Sequence, residues 1–180
     1  MTCPLLSAHI THKDSCIQDL GRLGQMDAAA ILQEMRDRPG VEECAVLKTC
    51  NRVEFYLVSR EREAAREGLE GLVASLLPYE AQGSLVRYMA GKETLHHLLR
   101  VASGLESMIV GEDQIQSQVK EAFELSCREG CCGPLMGEVF RKALNTGKRV
   151  RTETRVNKGN VSIGSAAVDL AESRMGDLKG

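Results

Sequence analysis

Residues 43–58, ECAVLKTCNRVEFYLV, decide the architecture. Two apolar runs, Glu43 to Lys48 and Val53 to Val58, flank the short polar break Thr49-Cys50-Asn51-Arg52. Branched and aromatic residues on both sides of such a break read as a β-hairpin. Working upstream, Leu5 to Ile10 reads as a strand and His12 to Gly24 as a loop. Asp27 then caps a helix whose apolar stripe is Ala28, Ile31, Leu32 and Met35, and Pro39-Gly40 stops it. Downstream, Glu61 to Leu77 reads as a helix with Ala65, Leu69, Leu72, Val73 and Leu76 inward. Pro78 ends it, and Ser84 to Met89 supplies a last short strand. The order β-α-β-β-α-β is the ferredoxin-like split βαβ arrangement, an α+β fold.

The second half of the chain is helical by period. Lys92 to Ser103 carries the stripe Leu95, Leu98, Leu99 and Ala102. Glu112 to Glu129 buries Ile115, Val119, Ala122, Phe123 and Ser126, and Gly130 stands at the expected C-cap. Pro134 opens a third helix that runs to Glu153 with Met136, Val139, Phe140, Ala143 and Val150 inward. After a Gly-Asn break at 159–160, Ala166 to Met175 reads as a fourth helix.

Composition narrows the function classes. The chain has 180 residues, 43% hydrophobic and 27% charged, with a net charge of −2. Those values describe a globular domain that needs no disulfide or metal staple. The longest apolar runs, such as LHHLLRVASGL, are too short for a membrane span, and the first residues lack a basic leader, so a cytoplasmic protein is expected. Seven cysteines, at 3, 16, 44, 50, 127, 131 and 132, form no CxxC pair and make an odd number, which argues against a disulfide framework. The group Cys127, Cys131 and Cys132 has no fourth ligand at a recognisable spacing, so no metal is expected.

One thiol stands apart. Cys50 lies in the polar break, where it should be exposed, and a guanidinium two residues away favours the nucleophilic thiolate. Thr49 and Asn51 can donate hydrogen bonds, and the planar fork of Arg52 suits a carboxylate held in bidentate fashion. Glu54, on the same face as Arg52, can pair with it and partly cancel that activation. The alternative reading of the same residues is a polar turn with a chance cysteine. Further along, Pro134 to Asn160 holds seven Lys or Arg against two Glu. Arg141, Lys148 and Arg155 recur every seven residues, flanked by Lys142, Arg149 and Arg151, as a face for phosphates or as an ordinary solvated flank.

Three stretches, LKTCNRVEFYLV, HHLLRVASGLESMIVGEDQIQSQVKEAF and KRVRTETRVNKGNVSIGSAAVDLAE, strongly resemble the amino-terminal part of glutamyl-tRNA reductase. The resemblance keeps its order from the first strand to the last helix. It implies a catalytic glutamyl-tRNA-binding domain over residues 1–156. Residues 157–180 would lead into an NADPH-binding Rossmann domain lying beyond the chain, since no G-x-G-x-x-G occurs in it. By resemblance, Cys50 attacks the aminoacyl ester of glutamyl-tRNA to give a thioester. NADPH then reduces the thioester to glutamate-1-semialdehyde for tetrapyrrole biosynthesis.

The resemblance also distributes roles. Thr49, Asn51 and Arg52 match the substrate pocket, with Arg52 as partner of the glutamate side chain. Ser107, Glu112, Asp113, Gln114 and Gln118 match its other wall. At position 113 many members carry Pro, so a contact there falls to the backbone. His97 matches a histidine important for activity, placed to protonate the departing ribose oxygen. Homodimerisation and glutamate-1-semialdehyde aminomutase as a partner are implied in the same way. The competing classes are a noncatalytic tRNA- or protein-binding module and a thiol acyltransferase or esterase.

Overall fold

The structure, a computed structural model, describes residues 3–77, 86–156 and 170–174. Four strands, β1 (Leu5–Thr11), β2 (Glu43–Thr49), β3 (Arg52–Val58) and β4 (Arg87–Ala90), form one antiparallel sheet in the order β2-β3-β1-β4. That order is the split βαβ topology expected from the hairpin, and the fold class is α+β. The hairpin register pairs Thr49 with Arg52 and Glu43 with Val58, leaving Cys50 and Asn51 as a two-residue turn. β3 also pairs with β1 throughout, from Leu5 against Val58 to Thr11 against Arg52.

Six helices follow in chain order: α1 (Ile17–Gln25), α2 (Ala28–Arg36), α3 (Arg62–Leu76), α4 (Lys92–Ala102), α5 (Gln114–Arg128) and α6 (Pro134–Glu153). Helix α1 corrects the expectation of a loop over residues 12–24. Its core contribution is only Leu20 and Leu23, its Cys16 N-cap makes no side-chain cap bond, and Gly21 and Gly24 interrupt it, so packing rather than propensity makes it a helix. Asp27 caps α2 as expected, accepting from the Ala29 amide. The last strand begins at Arg87 rather than at Ser84, a residue outside those described. The fourth helix expected over 166–175, the Gly-Asn break and the lead-in segment fall largely outside the described residues; 170–174 are helical.

Alternation along the strands separates two cores. One face of the sheet, with Leu6, Ala8, Ile10, Val46, Val53, Phe55 and Leu57, packs against α1, α2 and α3. The other face presents Leu5, Ala45, Leu47, Tyr56 and Val58 to α4, α5 and α6, which bury Leu98, Val101, Ile115, Val119, Met136 and Phe140. Helices α4 and α6 meet closely: a Cβ on Gly147 would lie 2.3 Å from the Ala102 carbonyl oxygen. This second, helix-covered face also carries the polar residues of the site.

Candidate active site

The two-residue turn that holds Cys50 is shaped by its neighbours. Favoured turns of this length need positive φ, yet no non-glycine residue among those described has it. The turn is held instead by the Thr49 hydroxyl, which accepts from the Asn51 amide at 3.1 Å. The His12 amide donates to the Asn51 carbonyl oxygen at 2.9 Å, tying the tip to the segment after β1. Cys50 is exposed there, whereas burial raises the thiols of Cys44 and Cys132, the latter to about 12. Among these three sulfurs, only Cys50 is open to a substrate.

Directly behind the tip, the covered face of the sheet turns polar. Cross-strand partners Thr11 and Arg52, His9 and Glu54, and Ser7 and Tyr56 place six polar side chains in three neighbouring rungs. Arg52 is only 2% exposed. It donates from Nη1 to Glu54 Oε1 at 2.9 Å and from Nη2 to the Glu106 carbonyl oxygen. The pairing with Glu54 anticipated from the sequence is therefore present. Glu54 is fully buried and also receives His97 Nε2 at 2.9 Å and the Tyr56 hydroxyl at 2.5 Å. His9 Nδ1 approaches the same carboxylate at 3.5 Å, too long for a good hydrogen bond, and the His9 and His97 rings meet edge-on with centroids 4.1 Å apart.

Burial alone would raise the Glu54 carboxyl, but the imidazoles of His9 and His97 outweigh it and hold the group well below the usual carboxylate range. Burial lowers His9 and keeps Tyr56 protonated, so Tyr56 donates. His9, Glu54 and His97 are the one group among the described residues whose ligand atoms converge, all within 4.8 Å. A divalent cation bound there would abut the guanidinium of Arg52 on the same carboxylate oxygen, so the set suits a hydrogen-bond network better than a metal.

A cleft of about 280 Å³ opens beside this network, lined by His9, Thr11, Arg52, His97, Arg100 and Glu106 among others. Glu106 is tied to Lys13 and Arg100, each at 2.6 Å. Burial would raise its carboxyl, and the two cations bring it down to about 2. Glu106 belongs to a loop closed by the Gly111 amide on the Gly104 carbonyl oxygen at 3.0 Å. Both glycines have positive φ, and a Cβ on Gly104 would press against Gly111. In the same loop Ser107 is buried and its hydroxyl has no partner among the described residues.

The expected site residues thus divide. Arg52 and His97 share the cleft, and Ser107 follows the residue whose carbonyl Arg52 grips. Glu112 is half-buried, with its carbonyl oxygen held by Arg151, while Asp113 and Gln114 are exposed at the start of α5. Gln118 lines a different cleft, of about 360 Å³, with Lys48, Glu121 and Arg128. The cationic face of α6 is also revised. Arg151 turns inward, donating to Gln116 at 2.9 Å and to Glu112; Lys142 and Arg149 pair with Glu138 and Glu153. Arg155 lies past the helix end, so the seven-residue repeat holds only for Arg141 and Lys148, both exposed. The sequence reading missed His9, Tyr56, Glu106 and Arg151. A signal for the first two was present: polar residues alternate along both LLSAHIT and RVEFYLV.

Among the described residues, no helix is long and apolar enough to cross a membrane. The family model described as Glutamyl-tRNAGlu reductase, N-terminal domain, matches residues 9–154. A glutamyl-tRNA reductase of Methanosarcina acetivorans is 44% identical over 171 residues, covering 95% of this chain and 36% of that protein. One from Methanothrix thermoacetophila is 43% identical over 176 residues, covering 98% and 41%. The solved structure of glutamyl-tRNA reductase from Methanopyrus kandleri superposes with a TM-score of 0.75 at 38% identity, covering 96% of this chain and 40% of that one. The chain therefore spans roughly two fifths of the length of these relatives. With every strand and helix from α1 to α6 and the end of β1 inside the matched region, the chain belongs to the glutamyl-tRNA reductase N-terminal domain family.

Proposed function

We propose that this chain performs the acyl-transfer half of glutamyl-tRNA reduction. The observation that carries the proposal is an exposed Cys50 on a tied-down hairpin tip with a buried Arg52 two residues behind it. Cys50 gives up its thiol proton and its sulfur attacks the ester carbonyl of glutamyl-tRNA; a carbon–sulfur bond forms and the bond to the tRNA ribose oxygen breaks, that oxygen taking the proton the thiol gave up. Replacing an oxygen ester by a thioester gives an acyl group that accepts hydride more readily and divides one hard step into two. Arg52 keeps N–H donors beyond the two already used and presents them to the glutamate side-chain carboxylate. Thr49 and Asn51 hold the tip, and Ser107, Glu112, the backbone at Asp113, Gln114 and Gln118 contribute the opposite wall. His97 serves the proton transfer.

NADPH does not fit the described residues. Their sheet is antiparallel, and no glycine-rich strand-to-helix turn offers a phosphate cradle. We place the nicotinamide site in the part of the relatives' length that this chain does not span, with residues 157–180 leading toward it and residues 1–156 as the catalytic domain. Reduction of the thioester to glutamate-1-semialdehyde, homodimerisation, transfer of the product to an aminomutase and a cytoplasmic setting belong to the same proposal.

Incubation with radiolabelled glutamyl-tRNA followed by acid trapping tests the reading. Wild type should carry protein-bound glutamate and Cys50→Ser should not. Labelling that survives Cys50→Ser contradicts the nucleophile, and folded wild type that binds glutamyl-tRNA without labelling favours a binding module.

A further inference from the structure

We infer that Glu54, acting through His97 and Arg52, is a positioning residue of the acyl-transfer site that aims both side chains into one cleft. The inference rests on the reading of Cys50 and Arg52 above and assigns a role to a residue that touches neither substrate nor thiol. Glu54 has no exposed surface, and its two oxygens are ringed by donors: Arg52 Nη1 and His97 Nε2 at 2.9 Å on Oε1, and the Tyr56 hydroxyl on Oε2. A carboxylate can only accept, so each of these neighbours must donate.

That requirement fixes two things. His97 must carry its proton on Nε2, which leaves the lone pair of the neutral ring on Nδ1. Nδ1 has no partner among the described residues, and His97 lines the cleft shared with Arg52 and Glu106. Glu54 thereby makes His97 a proton acceptor toward the cleft. Arg52, gripped by Glu54 on one nitrogen and by the Glu106 carbonyl on another, lines the cleft with N–H donors beyond those two, which suit an anionic group. The strand explains why one residue can serve both: Arg52 and Glu54 are alternate residues of β3 on the face that α4 covers with His97.

Glu54→Gln tests the idea while keeping the side chain's shape. A neutral amide oxygen accepts more weakly than a carboxylate, and its nitrogen faces the Tyr56 hydroxyl, which can turn to accept, so the hold on the His97 Nε2 proton loosens and the Nδ1–H form gains population. Imidazole nitrogen-15 spectra, taken where the ring is neutral, should show wild-type His97 as the Nε2–H tautomer and the variant as a mixture or as Nδ1–H. Single-turnover thioester formation at saturating glutamyl-tRNA should fall on the order of a hundredfold, the low end of a general base's contribution, while tRNA affinity by filter binding stays within about twofold. A wild-type His97 found as Nδ1–H overturns the inference and needs no variant to be folded. So does a Glu54→Gln chain that forms thioester at the wild-type rate. A wild-type chain that forms no thioester overturns the reading of Cys50 instead, together with the role built on it.

Discussion

The two faces of the sheet are built from the same strands and do opposite work. The face under α1, α2 and α3 is apolar across its centre, with Leu6, Ala8, Ile10, Val53, Phe55 and Leu57 all buried, and its one charged strand residue, Lys48, lies at the β2 edge. The face under α4, α5 and α6 is apolar at the Val58 end and polar toward the hairpin, where Ser7, His9, Thr11, Arg52, Glu54 and Tyr56 are also buried. Volume decides what the first face tolerates, and hydrogen-bond closure decides what the second tolerates. A buried charged network is weak evidence for stability, since well-packed apolar residues would serve as well. Its presence on one face only, behind the hairpin tip that carries Cys50, is what the proposed acyl-transfer site rests on.

Substitutions ranked by expected size can break this contrast. Arg52→Ala should have the largest effect, because it strands the Glu54 carboxylate: about 3–5 kcal/mol of stability lost by chemical denaturation, and no thioester detected by label trapping in the chain that remains folded. Phe55→Ala, three residues along on the opposite face, should likewise cost about 3–5 kcal/mol through its cavity but leave the thioester rate per folded molecule unchanged. If Phe55→Ala slowed acyl transfer as Arg52→Ala does, the division between faces would fail. Gly147→Ala should lower stability by about 1–3 kcal/mol, since its Cβ would drive into the Ala102 carbonyl and pry α6 from α4. Tm should fall by several degrees, with the apolar face protected in hydrogen exchange.

The smallest effect is one of pH. Glu106 titrates near 2 in the folded chain, below its unfolded value, so the stability it contributes is complete above about pH 4.5 and is lost as pH falls toward 2. The gap in Tm between wild type and Glu106→Gln should therefore narrow across that window and stay constant above it.

What could be read from the sequence follows the range of the interactions. The hairpin, the strand order and helices α2 to α6 rest on period and capping within a few residues, and they were legible. The Arg52–Glu54 pair was legible too, because alternate residues of a strand share a face. Helix α1 was not, although Ile17, Leu20 and Leu23 recur at helical spacing, because Gly21, Gly24 and an N-cap without a side-chain bond read locally as a loop. Glu106 reaches Arg52 across 54 residues and Arg151 reaches Glu112 across 39, and nothing local announces either meeting. Arg151 looked like part of a phosphate-facing flank because its helical position fits one; only tertiary packing shows it turned inward onto Gln116 and the Glu112 carbonyl oxygen.

The central claim is that one thiol among seven is the acyl acceptor, and peptide mapping tests it most directly. The chain would be reacted with glutamyl-tRNA, quenched in acid, digested and analysed by mass spectrometry. The account predicts a glutamyl adduct on the peptide containing Cys50 and on no other cysteine. An adduct on Cys16 or Cys127, the other exposed thiols, or a folded chain that binds glutamyl-tRNA and carries no adduct, would contradict it.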